Sequence, residues 1–167
     1  VSSPDASALV IGECTSRGLT IAVAESLTGG LLVAELIRTP GASAVVVGGV
    51  VAYNTAIKQS ILGVDAGLLA EKGAVDPDVA MQMATGVRER LAINGRVADI
   101  GIATTGVAGP DPQDGQPVGT VFIGIASATG VSSVALHLVG DRDDIRSAVV
   151  SESLVQLTKL LQHSRKI

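Results

Sequence analysis

The chain has 167 residues and a formal net charge of −4, a length that suits one domain with a substantial core. Hydrophobic residues make up 47% of it and aromatic residues only 1%, so Ala, Val, Leu and Ile must fill that core. With so few rings to stack on bases and no basic run, nucleic acid is disfavoured and not expected as a partner. The longest apolar stretch, residues 41–53, contains three glycines and falls short of the ~20 residues a membrane helix needs. No charged-then-apolar segment opens the chain, so the expectation is a soluble cytoplasmic protein without membrane contact. The single cysteine, Cys14, has no partner for an intrachain disulfide or a cysteine-based metal cluster.

In chain order, Ala6, Leu9, Val10 and Cys14 share one face of a first helix that Gly18 stops. Residues 20–25 read as a strand, and residues 31–38 as a helix closed by Thr39, Pro40 and Gly41. The valine-rich run 44–53 reads as a buried strand broken at Gly48 and Gly49. Two short helices, 54–62 and 66–72, end at Gly63 and Gly73. Asp76 as N-cap and Pro77 at the first position open a stronger helix with Val79, Met83, Val87 and Leu91 on its inner face. Residues 98–104 form the next strand, followed by a loop rich in Gly, Pro and Asp from 106 to 117. Strands 118–128 and 131–139 lie so close in sequence that they must form a hairpin. A last helix, 143–162, turns Ile145, Val149, Leu154, Leu157 and Leu161 inward, and residues 1–3 and 164–167 are expected to fray. Helical crossovers require parallel strands, and the hairpin adds one antiparallel member. The expected fold is a single α/β domain over residues 1–167, a three-layer α/β/α sandwich with a mixed, mostly parallel sheet of about five strands.

The chemistry gathers at strand ends. Ser26 and Thr28, then Gly29 and Gly30, stand at the first strand-to-helix junction. A helix N-terminus there leaves backbone N–H groups free. Those groups can stabilise an oxyanion formed by a serine nucleophile or bind a phosphate; the plain alternative is a hydroxyl that caps the helix. There is no dinucleotide fingerprint and no phosphate-loop motif. His137 and His163, the only histidines, lie in a strand and in the last helical turn, without ligand spacing for zinc and away from the loops where a catalytic base would sit. A serine nucleophile must then look to lysine. Of four lysines, Lys58 alone follows a strand end by one helical turn, beside Tyr53 and Asn54; the alternative is a solvated surface amine. The loop containing Thr105, Gly106 and Gly109 leaves another strand end and can form an anion nest or a plain turn. Gly119 and Thr120 open the next strand and can close the same pocket. Arg142 and Arg146, four apart at the start of the last helix, offer a phosphate partner or local ion pairs with Asp141, Asp143 and Asp144.

These segments resemble the CinA C-terminal domain family, whose stand-alone members include nicotinamide mononucleotide deamidases. The resemblance runs over roughly residues 5–162. It is carried by Ala24-Glu25-Ser26-Leu27-Thr28-Gly29-Gly30, by Gly48-Gly49-Val50-Val51-Ala52-Tyr53-Asn54 with Lys58, and by Leu62-Gly63-Val64 and Gly73-Ala74-Val75. Thr105-Gly106-Val107-Ala108-Gly109-Pro110 and Pro117-Val118-Gly119-Thr120-Val121 complete it. It implies deamidation of nicotinamide mononucleotide to nicotinate mononucleotide and ammonia, with no metal or cofactor. Ser26 would be the nucleophile, Lys58 its base, and Tyr53 an aid to proton transfer. Amides of residues 28–30 would hold the oxyanion, with Thr105 as a further contributor. Gly106, Gly109 and Arg142 or Arg146 would hold the nucleotide phosphate. The family habit also implies a homodimer. The alternative it leaves is a non-catalytic nucleotide-binding or regulatory protein of the competence and damage-inducible type.

Overall fold

The computed structural model describes residues 5–163, so the expected frayed ends lie outside the described residues. Asp5 accepts hydrogen bonds from the amides of Ser7 and Ala8 and starts α1, Ala6–Arg17; Gly18, in the left-handed conformation, ends it. β1, Ile21–Glu25, is buried along its whole length and leads through a tight turn into α2, Leu31–Ile37. A 3₁₀ turn at Ala42–Ala44 precedes β2, Val46–Val51. The short helices are α3, Thr55–Ser60, and α4, Ala66–Lys72. Asp76 caps α5, Pro77–Arg90, with Pro77 in its first turn. Then come β3, Ile100–Gly106, the hairpin β4, Thr120–Ser127, and β5, Gly130–His137, and finally α6, Arg142–His163.

The sheet order is β2-β1-β3-β4-β5. β1 pairs parallel with both β2 and β3, while β4 runs antiparallel to both its neighbours. The expected mixed, mostly parallel five-stranded sheet is therefore present, with β4 as the reversed strand.

Alternation along β1 divides the core. Ile21 and Val23 join Val10, Ile11, Leu32, Leu36, Leu154 and Leu157 beneath α1, α2 and α6. Ala22 and Ala24 face Val79, Met83 and Val87 of α5. The second face needs small residues because α5 lies hard against the sheet. A Cβ at Gly101 would strike the Ala84 carbonyl, and one at Gly124 the Ala80 carbonyl.

One element departs from expectation. The run 44–53 is shorter as a strand, and its strand residues Val46–Val51 are only half-buried or exposed: β2 is a sheet edge, and Val51 stands exposed. Continuous valines read as core, but edge position is decided by topology. The break expected at Gly48 is real as a register shift, since Ile21 pairs with Val46 and Ala22 with Gly48, leaving Val47 as the extra residue of a bulge.

Candidate active site

β1, β2 and β3 run the same way, so their carboxyl ends meet along one edge of the sheet, where ligand sites in open α/β sheets form. Ser26 follows β1 directly, with its amide donating to the Thr104 carbonyl of β3. Lys58 comes from α3, one turn beyond the end of β2. It is 1% exposed, and its Nζ lies 2.9 Å from Ser26 Oγ and donates to the Ala52 carbonyl at 2.7 Å. Burial pulls its pKa down from 10.5 to about 8, against the opposing pull of the Asp114 charge. The neutral amine needed to take a hydroxyl proton is thus populated near neutral pH. Ser26 is 8% exposed and lines a cavity of about 320 Å³, so its hydroxyl side borders the cavity while the Lys58 amine is buried behind it.

The cavity also exposes Tyr53, Asn54, Thr105, Gly106, Gly109 and Arg142, so seven of the fourteen residues expected at the site line it, counting Ser26. Lys58 makes an eighth through its bond to Ser26. Tyr53 does not reach the pair. Its hydroxyl accepts from Arg142 at 3.0 Å, and its ring is 61% exposed at the mouth. Arg142 also donates to the Gly109 carbonyl at 2.7 Å and so ties the mouth to the glycine loop. Thr105 donates its hydroxyl to the Ala74 carbonyl.

The other expected residues sit elsewhere. Thr28 is buried, its hydroxyl paired with that of Thr104 at 2.7 Å. Neither Ser26 nor Thr28 caps α2. The Gly29 amide donates to the Ser26 carbonyl and the Gly30 amide to Glu25, so neither is free for an oxyanion. Gly119 and Thr120 bond the backbone of Val107 and hold the loop from outside the cavity. Arg146 turns away from the mouth: it donates to the Leu27 carbonyl at 3.0 Å and the Thr28 carbonyl at 3.4 Å and pairs with Asp143.

Sequence reasoning gave no site role to Glu25, Ala74, Val75, Asp111, Gln113 or Asp114. Ala74, Val75, Asp111 and Gln113 line the cavity, and the Asp114 carboxylate accepts from the Ala74 amide at 2.9 Å. The amides of Leu27, Ala108 and Gly109, all on cavity-lining residues, donate to no protein group among the described residues. Among those residues, too, no group of His, Cys, Asp and Glu is arranged to hold a metal ion, and no helix is long and apolar enough to cross a membrane.

Fold and site together define an α/β protein with a buried serine–lysine pair at the carboxyl edge of its sheet. The chain belongs to the CinA C-terminal domain family, whose model matches residues 4–161. It is 49% identical to a CinA-like protein of Frankia casuarinae over 92% of this chain and 34% of that protein. It is 50% identical to a putative competence-damage inducible protein of Desulforamulus reducens over 92% and 36%. The chain thus spans about a third of the length of these curated relatives. Among solved structures, a CinA superfamily protein of Klebsiella pneumoniae superposes with a TM-score of 0.89 at 30% identity, covering 95% of this chain and 97% of that one. The competence/damage inducible protein CihA of Agrobacterium tumefaciens gives 0.85 at 35% identity, covering 96% and 98%.

Proposed function

We propose that the protein is an amidohydrolase that converts nicotinamide mononucleotide to nicotinate mononucleotide and ammonia by serine–lysine catalysis. The observation that carries this reading is the buried amine of Lys58 at 2.9 Å from the cavity-facing hydroxyl of Ser26. Lys58, neutral, takes the hydroxyl proton as Ser26 Oγ attacks the carboxamide carbon. The tetrahedral oxyanion is held by free amides, for which Leu27 and the Ala108–Gly109 stretch are the candidates because the α2 amides are already engaged. The Lys58 ammonium then gives its proton to the departing nitrogen, and ammonia leaves. Water, deprotonated by the same amine, attacks the Ser26 ester; the Lys58 ammonium returns that proton to Ser26 Oγ as the C–O bond breaks, and the carboxylate product leaves. In this reading Arg142 at the mouth is the cation for the nucleotide phosphate, and Asp111 and Gln113, which also line the cavity, are the polar groups available to the ribose hydroxyls. Arg146 is not a phosphate ligand in this arrangement, since its guanidinium is spent on backbone carbonyls.

The test is ammonia release from nicotinamide mononucleotide by the purified protein, beside Ser26→Ala and Lys58→Ala. Release that both substitutions abolish, with ligand binding kept in Ser26→Ala, supports the reading. Binding without release by the unmodified protein replaces it with a nucleotide-binding regulator, a role in keeping with the competence-damage names of the relatives.

A further inference from the structure

Glu25 is an acidic residue at the end of a strand that is otherwise apolar, and it is 1% exposed. Among the described residues no lysine or arginine forms a salt bridge with it. A buried carboxylate without a cation requires strong donors, and α2 supplies them. Glu25 Oε2 accepts from the amides of Gly30 and Leu32, each at 3.0 Å, and Oε1 accepts from the Val33 amide at 2.8 Å. These are N–H groups that the first turn of a helix cannot satisfy internally, and the negative charge lies at the positive end of the helix.

The backbone of the same residue is fixed from two sides. It pairs with Val51 of β2 and Thr104 of β3, and its carbonyl accepts from the Ala52 amide at 2.8 Å. Ala52 in turn offers its carbonyl to Lys58. Ser26 is therefore the first residue of a short turn whose start is held by the Glu25 backbone and whose end is held by the Glu25 side chain. The Ser26 hydroxyl must stay within hydrogen-bonding distance of an amine that comes from a different element, so any drift of this turn opens the pair.

From this we infer that Glu25 is a positioning residue. Its carboxylate clamps the β1–α2 turn, through the amides of Gly30, Leu32 and Val33, so that Ser26 Oγ stays against Lys58. The inference rests on the reading of Ser26 as nucleophile but not on the identity of the substrate.

The experiment measures the rate at which an alkyl fluorophosphonate labels Ser26. In that step an Oγ–P bond forms, the P–F bond breaks with loss of fluoride, and the hydroxyl proton passes to Lys58. Wild type is compared with Glu25→Gln, which keeps the size but turns a donor against the α2 amides, and with Asp99→Asn, which loosens the opposite end of β1. Glu25→Gln is expected to label about 100-fold more slowly, with an equal fall in kcat on nicotinamide mononucleotide and KM within about twofold. Asp99→Asn is expected to label at the wild-type rate despite a lower melting temperature. If Glu25→Gln does not fold, Glu25→Asp, which keeps the charge but reaches one methylene less far, takes its place. A folded Glu25 variant that labels as fast as wild type overturns the inference. An Asp99→Asn protein slowed as much as Glu25→Gln also overturns it, because the effect is then general stability. A wild-type protein labelled at Ser26 but inert toward the nucleotide overturns only the substrate reading; one that is not labelled at all overturns both.

Discussion

The two ends of β1 are built from the same materials and put to different use. At the amino end, Asp99 Oδ2 accepts from both the amide and the hydroxyl of Thr20, each at 2.8 Å, and the Asp99 amide donates back to that hydroxyl at 3.1 Å. At the carboxyl end, Glu25 accepts from three amides of α2. Glu25 fastens the strand to the helix that follows it, and Asp99 fastens it to the start of its neighbour β3. At the amino end the groups of Thr20 and Asp99 pair with one another, and the exposed Arg96 adds an ion pair to Asp99 at 3.2 Å. At the carboxyl end the clamp leaves a hydroxyl facing a cavity, backed by a buried amine. Hydrogen bonding by a carboxylate therefore does not mark a functional end. A desolvated amine beside a cavity-lining hydroxyl is the feature that makes the carboxyl end the candidate site.

The sharpest break of that contrast is Ser26→Ala, expected to lower ammonia release about 10³-fold or more with little change in melting temperature, as read in a coupled ammonia assay. Lys58→Met comes next, with a loss of about 10²–10⁴-fold and an opposite effect on stability. The folded pKa of Lys58, about 8, lies below the unfolded 10.5. Below pH 8 the fold carries the cost of a buried amine it would rather leave neutral, about 3 kcal/mol at most. The unfolded chain binds more protons between those two values, so wild-type stability should rise from pH 8 to 10.5. Lys58→Met should be the more stable protein at pH 7, by about 1–3 kcal/mol, and the gap should close toward pH 10.5. Denaturant melts of both proteins across that range measure it.

The third expected effect is on pH. Activity should rise through an inflection near pH 8 as Lys58 loses its proton. Asp114→Asn should move that inflection downward, because the Asp114 charge works to hold the proton on Lys58. The same substitution weakens the tie to the Ala74 amide, so KM should rise as well. An inflection that stays in place would show that the field of this loop does not reach the amine. Smaller again is the split between two arginines. Arg142→Ala should raise KM for the nucleotide about tenfold through loss of a charge-assisted contact. Arg146→Ala should instead lower kcat, since Arg146 braces the carbonyls of Leu27 and Thr28 beside Ser26.

That split also shows what was and was not legible in the sequence. Local signals carried far: Asp76 with Pro77 marked the start of α5, Gly18 the end of α1, and the spacing of Ile145, Val149, Leu154, Leu157 and Leu161 the buried face of α6. The meeting of Ser26 with Lys58 was legible because each follows a strand end, and parallel strands bring such ends together. The arginines were not separable, because their spacing of four puts both on one side of α6 while their partners lie far away in sequence, at Tyr53 and Gly109 or at Leu27 and Thr28. Asp114 and Ala74 were opaque for the same reason, being joined by one bond across 40 positions. Glu25 did leave a signal, a charge closing an apolar strand one residue before Ser26, but its partners are backbone amides, which no side-chain pattern reveals. The mistaken burial of β2 belongs here as well, since a run of valines looks the same in the centre of a sheet and at its edge.

The smallest expected effect closes the contrast from the amino end. Burial works to raise the Asp99 pKa, but hydrogen bonds from Thr20 and the nearby Arg96 charge outweigh it and hold the carboxyl below its ordinary value. A carboxylate depressed in this way adds stability above its unfolded pKa and loses it as pH falls through the folded value. Asp99→Asn should therefore cost about 1 kcal/mol at pH 7, and the difference from wild type should vanish in acid, below the folded pKa. Ammonia release and Ser26 labelling should both stay at wild-type levels, because the sheet between Thr20 and Ser26 is buried along its whole length and paired on both sides. If loosening that end slowed the chemistry, β1 would be transmitting strain from one clasp to the other, and the two ends could no longer be treated as separate devices.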